Sequence, residues 1–341
     1  MDTMVLRSPR VLILLGVILA DVAAISVLAV FVYFVSQPRD AHAQELKQVV
    51  VGRGLGVQQI ADVLQEEEII QYDTTFVAYA VLSGKGSALQ AGVYELGPNM
   101  SQREIISILS AGQTIDHVRV IIYEGDTIDK IANRLYMHRV IEDQEAFELA
   151  ATIKSTDAKA QYQYAFFDAV PEAYSLEGFL FPDTYEFKVG SSSEEVIDAM
   201  LHNFSERVGD RVGRTERFYD VLIMASILQR EVRSEEEMRL AASVINNRVA
   251  NGMPLQMDAT LVYVLKRVMR SSDKSLDSPY NTYRYTGLPP TPIANPSLQA
   301  IDAALNPASS DYIFYVSDRS GVTHFARTLS EHNRNIARYL R

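Results

Sequence analysis

The chain has 341 residues, with 43 acidic against 32 basic side chains, a formal net charge of −11 and 48% hydrophobic residues. It has no cysteine, which excludes a thiol nucleophile, a cysteine zinc site, an iron–sulfur cluster and any disulfide. Its six histidines show no HExxH-type spacing, arguing against a metal, and the acidic balance argues against nucleic acid, because phosphate binding needs a basic face.

An apolar run from Val11 to Val35, broken by Asp21, is the first organised feature. It exceeds the ~20 residues needed to cross a bilayer as a helix. The competing reading is a secretory signal, since Ala41-His42-Ala43 imitates a cleavage site. A signal's apolar region is usually ~7–15 residues, so the run is read as an uncleaved anchor over 11–36. Arg7 and Arg10 place the tail 1–10 in the cytoplasm and everything from Gln37 onward outside it. Asp21 near mid-span is either a tolerated acid or a helix–helix contact.

Beyond the anchor the sequence repeats. Val49-Val50-Val51, Gly54, Val57, Ile60-Ala61 and Leu64 return 71 positions later as Val120-Ile121-Ile122, Gly125, Ile128, Ile131-Ala132 and Leu135. Each copy reads as a β-branched strand, a glycine turn and an amphipathic helix. A second block also matches. Val93-Tyr94-Glu95-Leu96 with Ser101 and Glu104 parallels Thr184-Tyr185-Glu186-Phe187 with Ser192 and Glu195. Ser101 and Glu104 form a capping box that predicts a helix over 102–110. Two related α/β units are expected, over 45–115 and 116–205, the second enlarged by an insertion around 142–174.

From Phe218 the character changes. Val221 to Leu228 reads VLIMASIL, apolar on nearly every side, the mark of a buried helix. Glu231 falls three and four residues after Leu228 and Ile227, on that apolar surface. Ser234 with Glu237 then starts a second helix, which Gly252 can end. A carboxyl held against apolar surface resists ionisation and can act as a general acid, the environment needed to cleave glycosidic bonds. A glutamate at a helix end can equally emerge into solvent or pair with a nearby arginine. The run Glu235-Glu236-Glu237 reads as first-turn carboxylates favoured by the helix dipole.

Further on, Leu255 to Thr260 reads as a strand or turn with Gln256, Asp258 and Thr260 facing one way. Tyr263 follows on a helix. Tyr280-Asn281-Thr282-Tyr283 leads into a rigid loop punctuated by Gly287, Pro289, Pro290, Pro292 and Pro296. Amides suit sugar hydroxyls and tyrosines suit sugar faces, so a carbohydrate groove is expected here.

Several stretches in order carry a resemblance: EGFLFPDTYEF (Glu177–Phe187), ASILQRE (Ala225–Glu231), SVINNR (Ser243–Arg248), LQMDATLVY (Leu255–Tyr263), YNTY (Tyr280–Tyr283), GLPPTPIANP (Gly287–Pro296) and THFARTLSEHN (Thr323–Asn333). Together they resemble the endolytic murein transglycosylases of the YceG-like family, over about Val49 to Leu340. The family pattern often carries two acids in the ASILQRE block, and Gln229 stands at the first of them. The resemblance implies an α+β fold: a transmembrane helix, a LysM-like α/β subdomain over 45–115, a second α/β unit over 116–205, and a helix-rich catalytic domain with a small sheet over 206–341. It also implies a membrane-bound lyase that cleaves the MurNAc–GlcNAc β-1,4 bond inside peptidoglycan strands and leaves a 1,6-anhydro end.

Glu231 is the expected acid/base on that reading. Gln256, Asp258, Tyr263, Asn281 and Tyr283 are the expected substrate-binding residues, with no cofactor and no metal. The expected partners are peptidoglycan glycan strands, the cytoplasmic membrane through one helix, and cell-wall synthases or division and elongation proteins. Two other functions stay open: a hydrolytic muramidase with Asp258 as second carboxylate, and a glycan-binding scaffold without activity.

Overall fold

A long apolar helix, α1 (Pro9–Ser36), opens the described part of the chain. This computed structural model describes residues 9–171, 175–212 and 217–340. Most of the tail expected over 1–10, Arg7 included, lies outside the described residues, as do 172–174 of the expected insertion. Val17–Ser36 is long and apolar enough to cross a membrane. Its side chains from Val17 to Val30, including Asp21, are exposed. The fold class is α+β, with two-stranded sheets among many helices. Contacts divide the chain at Val118/Arg119 into two compact units. The division expected at 205/206 falls inside the second of them, because residues near 125, 178 and 295 are tied together as described below.

In the first unit, β1 (Lys47–Val51) leads through a glycine turn into α2 (Val57–Glu66) and α3 (Asp73–Leu82), and β2 (Gly92–Leu96) leads into α4 (Gln102–Ala111). β1 and β2 pair antiparallel, with Val49 opposite Tyr94 and Lys47 opposite Leu96. The helical stripe Ile60, Ala61 and Leu64 closes over this ribbon with Phe76, Ile105 and Leu109, forming a continuous buried core. Ser101 caps α4, accepting from the Glu104 amide while Glu104 accepts from the Ser101 amide, as the sequence predicts. The end of α1 rests on this unit: Val35 is buried and the Phe34 ring meets Tyr72 edge-on, 5.8 Å between centroids.

From β3 (His117–Ile121), whose second residue ends the first unit, the same order returns in the second: α5 (Ile128–Met137), α6 (Gln144–Ala151), then β4 (Thr184–Lys188) and α8 (Ser193–Val212), with β3 paired to β4. α6 starts at the same 71-residue offset from α3 that separates Gly125 from Gly54. The insertion expected from 142 therefore starts only after α6. It contains α7 (Ser155–Tyr162) and a 3-10 turn (Ala165–Ala169) whose Phe166 and Phe167 pack on Phe179 and Phe204.

The rest of the unit comprises α9 (Phe218–Glu231), α10 (Glu235–Ala250), α11 (Asp258–Leu265), α12 (Leu298–Leu305), the hairpin β5 (Phe314–Ser317) with β6 (Thr323–Ala326), and α13 (Leu329–Tyr339). α12, α10 and α11 pack around α9, burying every residue from Leu222 to Leu228. That is why its sequence is apolar all round.

Candidate active site

α9 ends at Glu231 because Val232 leaves the helix in extended conformation, with φ −136 and ψ 160, and Ser234 immediately caps α10 with Glu237 in a capping box. Glu231 is thus fixed where one rigid helix stops and the next starts. Its carboxyl is held from two other elements. Oε1 accepts from the Ala259 amide in the first turn of α11 at 3.3 Å, and Oε2 accepts from the Tyr315 hydroxyl on β5 at 3.3 Å. Burial pushes this carboxyl above the ordinary glutamate range, and the nearby Asp258 charge adds to the rise. The Ala259 amide, the Tyr315 hydroxyl and the Arg230 charge pull the other way without overcoming it. The result is a carboxyl that keeps its proton more readily than a free one, beside donors that stabilise it once the proton is gone.

Arg248 builds the wall beside it. Its guanidinium donates to the carbonyls of Ile313 (2.6 Å), Pro254 (2.9 Å) and Leu255 (2.9 Å), and lies 5.1 Å over the Phe314 ring. One buried cation thus joins α10, the loop before α11 and the hairpin that carries Tyr315. The same guanidinium reaches Gln256 Oε1 at 3.4 Å. Gln256 is exposed and has φ +56, a left-handed conformation that costs a side-chain-bearing residue on the order of 1–2 kcal/mol. Its amide is held by the Thr282 carbonyl at 2.9 Å. Strain kept in place by surrounding bonds is characteristic of functional loops.

Of the expected groove residues, the structure brings Gln256, Asp258 and Tyr283 together near Glu231. Asp258 is exposed at the first position of α11, where it accepts a hydrogen bond from the Tyr283 hydroxyl. Burial, then the Asp258 carboxylate, keep that hydroxyl protonated well above the usual tyrosine range. Lys274 lies 4.3 Å over the Tyr283 ring.

The other two have different surroundings. Asn281 is fully buried, donating to the Lys274 and Leu276 carbonyls at 3.0 and 2.7 Å and accepting from the Tyr283 amide at 3.0 Å. It staples a loop and has no surface to present to a sugar, a correction to the expectation. Tyr263 packs its ring 5.4 Å from Tyr280, and burial, then the nearby Glu177 carboxyl, keep its hydroxyl protonated well above the usual tyrosine range. The alternation expected from Gln256 through Thr260 is also corrected. Helix α11 begins at Asp258, so Thr260 turns inward and bonds the Met257 carbonyl at 2.8 Å.

Three residues of this site were given no role from sequence: Tyr315, Arg248 and Glu177. Glu177 is buried 49 residues beyond the amide it supports, accepting from Ile128 N at 3.2 Å and from Asn295 Nδ2 at 2.8 Å. Burial lifts it to about 8. The Asn295 carbonyl accepts from the Gly125 amide at 2.8 Å, and Asn295 Oδ1 accepts from the Gly178 and Leu180 amides at 2.9 Å each. Both residues lie in stretches that the sequence singles out, EGFLFPDTYEF and GLPPTPIANP. Their pairing was not readable, because 118 residues separate them.

A family profile described as the YceG-like family matches residues 49–338. The endolytic murein transglycosylase of Bacillus subtilis is 30% identical over 322 residues, 89% of this chain and 88% of that protein. The endolytic murein transglycosylase of Streptococcus pneumoniae (strain D39) is 29% identical over 89% of this chain and 60% of that protein. Among solved structures, a YceG-like protein of Listeria monocytogenes superposes with a TM-score of 0.66 at 30% identity, covering 86% of this chain and 99% of that one.

Proposed function

The chain belongs to the YceG-like family, and from that membership and the enclosed carboxyl of Glu231 we infer that it is an endolytic murein transglycosylase. Its substrate is the glycan strand of peptidoglycan, cut at the MurNAc–GlcNAc β-1,4 bond. Glu231 is the acid/base. It first gives its proton to the oxygen of the departing GlcNAc. It then accepts the proton of the muramoyl C6 hydroxyl as that oxygen attacks C1 and closes a 1,6-anhydro ring. One carboxyl serves both steps, since it is regenerated protonated at the end.

The observation that carries this reading is the environment of Glu231. Burial favours the protonated form needed first, while the Ala259 amide and the Tyr315 hydroxyl await the anion formed in between. Gln256, Asp258 and Tyr283 line the approach and supply polar groups for sugar hydroxyls. Asp258 is already engaged by Tyr283, which favours an orienting role over that of a second base.

α1 anchors the enzyme in the cytoplasmic membrane, with Arg7 and Arg10 keeping the amino terminus in the cytoplasm and everything from Gln37 onward outside. The 45–115 region serves as a LysM-like glycan-binding module, and synthases or division and elongation proteins supply the nascent strands. Mass spectrometry of purified glycan strands after digestion tests the central reading. The wild-type chain should release 1,6-anhydro ends, and Glu231→Gln, which can neither give nor take the proton, should lose ~10²–10⁴-fold in rate while staying folded. Free reducing ends would replace this reading with a hydrolytic muramidase. Undiminished turnover in a folded Glu231→Gln variant would remove Glu231 from the chemistry.

A further inference from the structure

Beside the Glu231 site, on the far side of the first turn of α11, lies a separate cavity of about 210 Å³. Ala259, whose amide bonds Glu231, also lines it, and so does Arg230, the chain neighbour of Glu231. Glu231 itself does not line the cavity, but a residue that holds its carboxyl does. Ile293, Val262 and Tyr263 supply apolar wall. Four cations also border it, Lys130, Arg230, Lys266 and Arg267, in a chain whose net charge is −11.

Not all of that charge is free. Arg267 forms a bidentate pair with Asp273 at 2.8 and 2.9 Å. Lys266 lies 3.6 Å from Asp129, the single acid in the lining, which also accepts from the Thr127 hydroxyl at 2.5 Å. Lys130 forms no hydrogen bond or ion pair among the described residues, and Arg230 donates only to the Gly125 carbonyl, at 3.3 Å. Among these residues Lys130 thus remains without a carboxylate partner, and Arg230 forms no ion pair, acting only through its charge on Glu231. Lys130 is also the third residue of α5, where the matching residue of α2, Gln59, spends its side chain on capping.

We propose that this cavity binds the acidic peptide stem carried by the muramoyl residue at the cleaved bond, with Lys130 and Arg230 facing its carboxylates. This rests on the transglycosylase reading and adds a substrate feature to it. The stem leaves the sugar through the lactyl ether, close to the reacting carbon, so a pocket lined by Ala259, whose amide holds the Glu231 carboxyl, lies within its reach. At 210 Å³ the space is below the ~300–1,000 Å³ of pockets for drug-sized ligands, which suits a short branch and not a sugar chain. The apolar wall fits alanyl methyl groups.

The test uses the full chain in detergent micelles and two substrates, stem-bearing glycan strands and the same strands stripped of stems by an amidase. Charge reversal in Lys130→Glu should lower the ratio of kcat/KM on stem-bearing to stripped strands about five-fold, the scale of one partly exposed ion pair, and Lys130→Ala should lower it less. A titration of the uncleavable muramoyl tripeptide, followed by calorimetry, should weaken in the same order. A folded Lys130→Glu chain with the wild-type ratio and wild-type tripeptide affinity would overturn the proposal. If the wild type cuts neither substrate, the transglycosylase reading fails on its own, and the tripeptide titration still decides the pocket.

Discussion

The two copies of the strand–turn–helix plan use one local code for different purposes. Gly54 and Gly125 occupy matching positions, and both have φ +80. Gly54 faces open space, with no atom within 4 Å of where a Cβ would stand. Gly125 is built in: its amide bonds the Asn295 carbonyl, its own carbonyl accepts from Arg230, and a Cβ there would sit 3.4 Å from Gln229 Cγ. The helices that follow also start differently. α2 is closed locally, the Gly56 amide donating to Gln59 Oε1 at 2.9 Å. α5 has Lys130 at that position, which offers no acceptor, and the amide of its first residue, Ile128, is taken by the distant Glu177. A self-contained turn in the first copy has become, in the second, a brace for the end of α9. What the repeat encodes is a shape; what the second copy does with it depends on Glu177, Asn295 and Gln229, which lie far off in sequence.

The sharpest way to break this contrast is to remove its centre. Asn295→Ala strips partners from the Gly178 and Leu180 amides, the Asp126 carbonyl and the Glu177 carboxyl in one change. The Asp126 carbonyl keeps the Asn295 backbone amide and Glu177 keeps Ile128 N, so the Gly178 and Leu180 amides are the groups left unpaired, and at roughly 1–3 kcal/mol each a total of about 2–6 kcal/mol is expected. Urea unfolding should register that loss, and amide exchange should accelerate at 125–128 and 178–180 while the Val49–Leu109 core keeps its protection. A loss below about 1 kcal/mol, or faster exchange in the first unit to the same degree, would mean that the second copy is not braced this way.

The two halves of that contrast were unequally readable. Capping boxes at Ser101/Glu104 and Ser234/Glu237 are local, three residues apart, and the sequence shows them directly. The burial of α9 and the placement of Glu231 on its apolar surface follow from periodicity, which is also local. Asn281 and Thr260 misled because a polar side chain beside turn residues looks the same whether it faces a ligand or a neighbouring carbonyl. Tyr315 approaches Glu231 across 84 residues and Arg248 reaches Ile313 across 65, and nothing in either stretch marks its partner. Buried polar networks close through space, so their members are visible as motifs and their connections are not.

A finer test uses the two glycines as each other's control. Alanine at φ +80 costs about 1–2 kcal/mol in either turn, so Gly54→Ala and Gly125→Ala should lower stability by similar amounts. Only the Gly125 turn touches Gln229 and is bonded to Arg230, the neighbour of Glu231, so only Gly125→Ala passes its backbone strain to the end of α9 and should lower kcat, since small misplacements of a reacting group are costly. Stability and cleavage rate measured on the same preparations give the comparison. Equal loss of kcat in both variants would show that the Gly125 turn has no special relation to the reacting end of α9.

The smallest expected effect comes from a group outside both copies. Tyr315 donates to Glu231 Oε2, and that bond favours the ionised carboxyl, lowering a value that burial has raised. If the brace at Gly125 is what positions the carboxyl, Tyr315→Phe should leave its place unchanged and alter only its proton affinity. Removing a donor to the anion raises the carboxyl further above the ordinary range. The acid form is then lost only at higher pH, and the alkaline limb of the rate profile moves upward, by less than about one pH unit for a net hydrogen bond near 1 kcal/mol. The rate on the acid side should fall only a few-fold, by the part of the anion stabilisation that Tyr315 supplies in the second step. A limb that moves to lower pH would contradict the sign of the interaction. A collapse in rate at every pH, with the limb unmoved, would instead make Tyr315 the group that positions Glu231 and would take that role away from the second copy's turn.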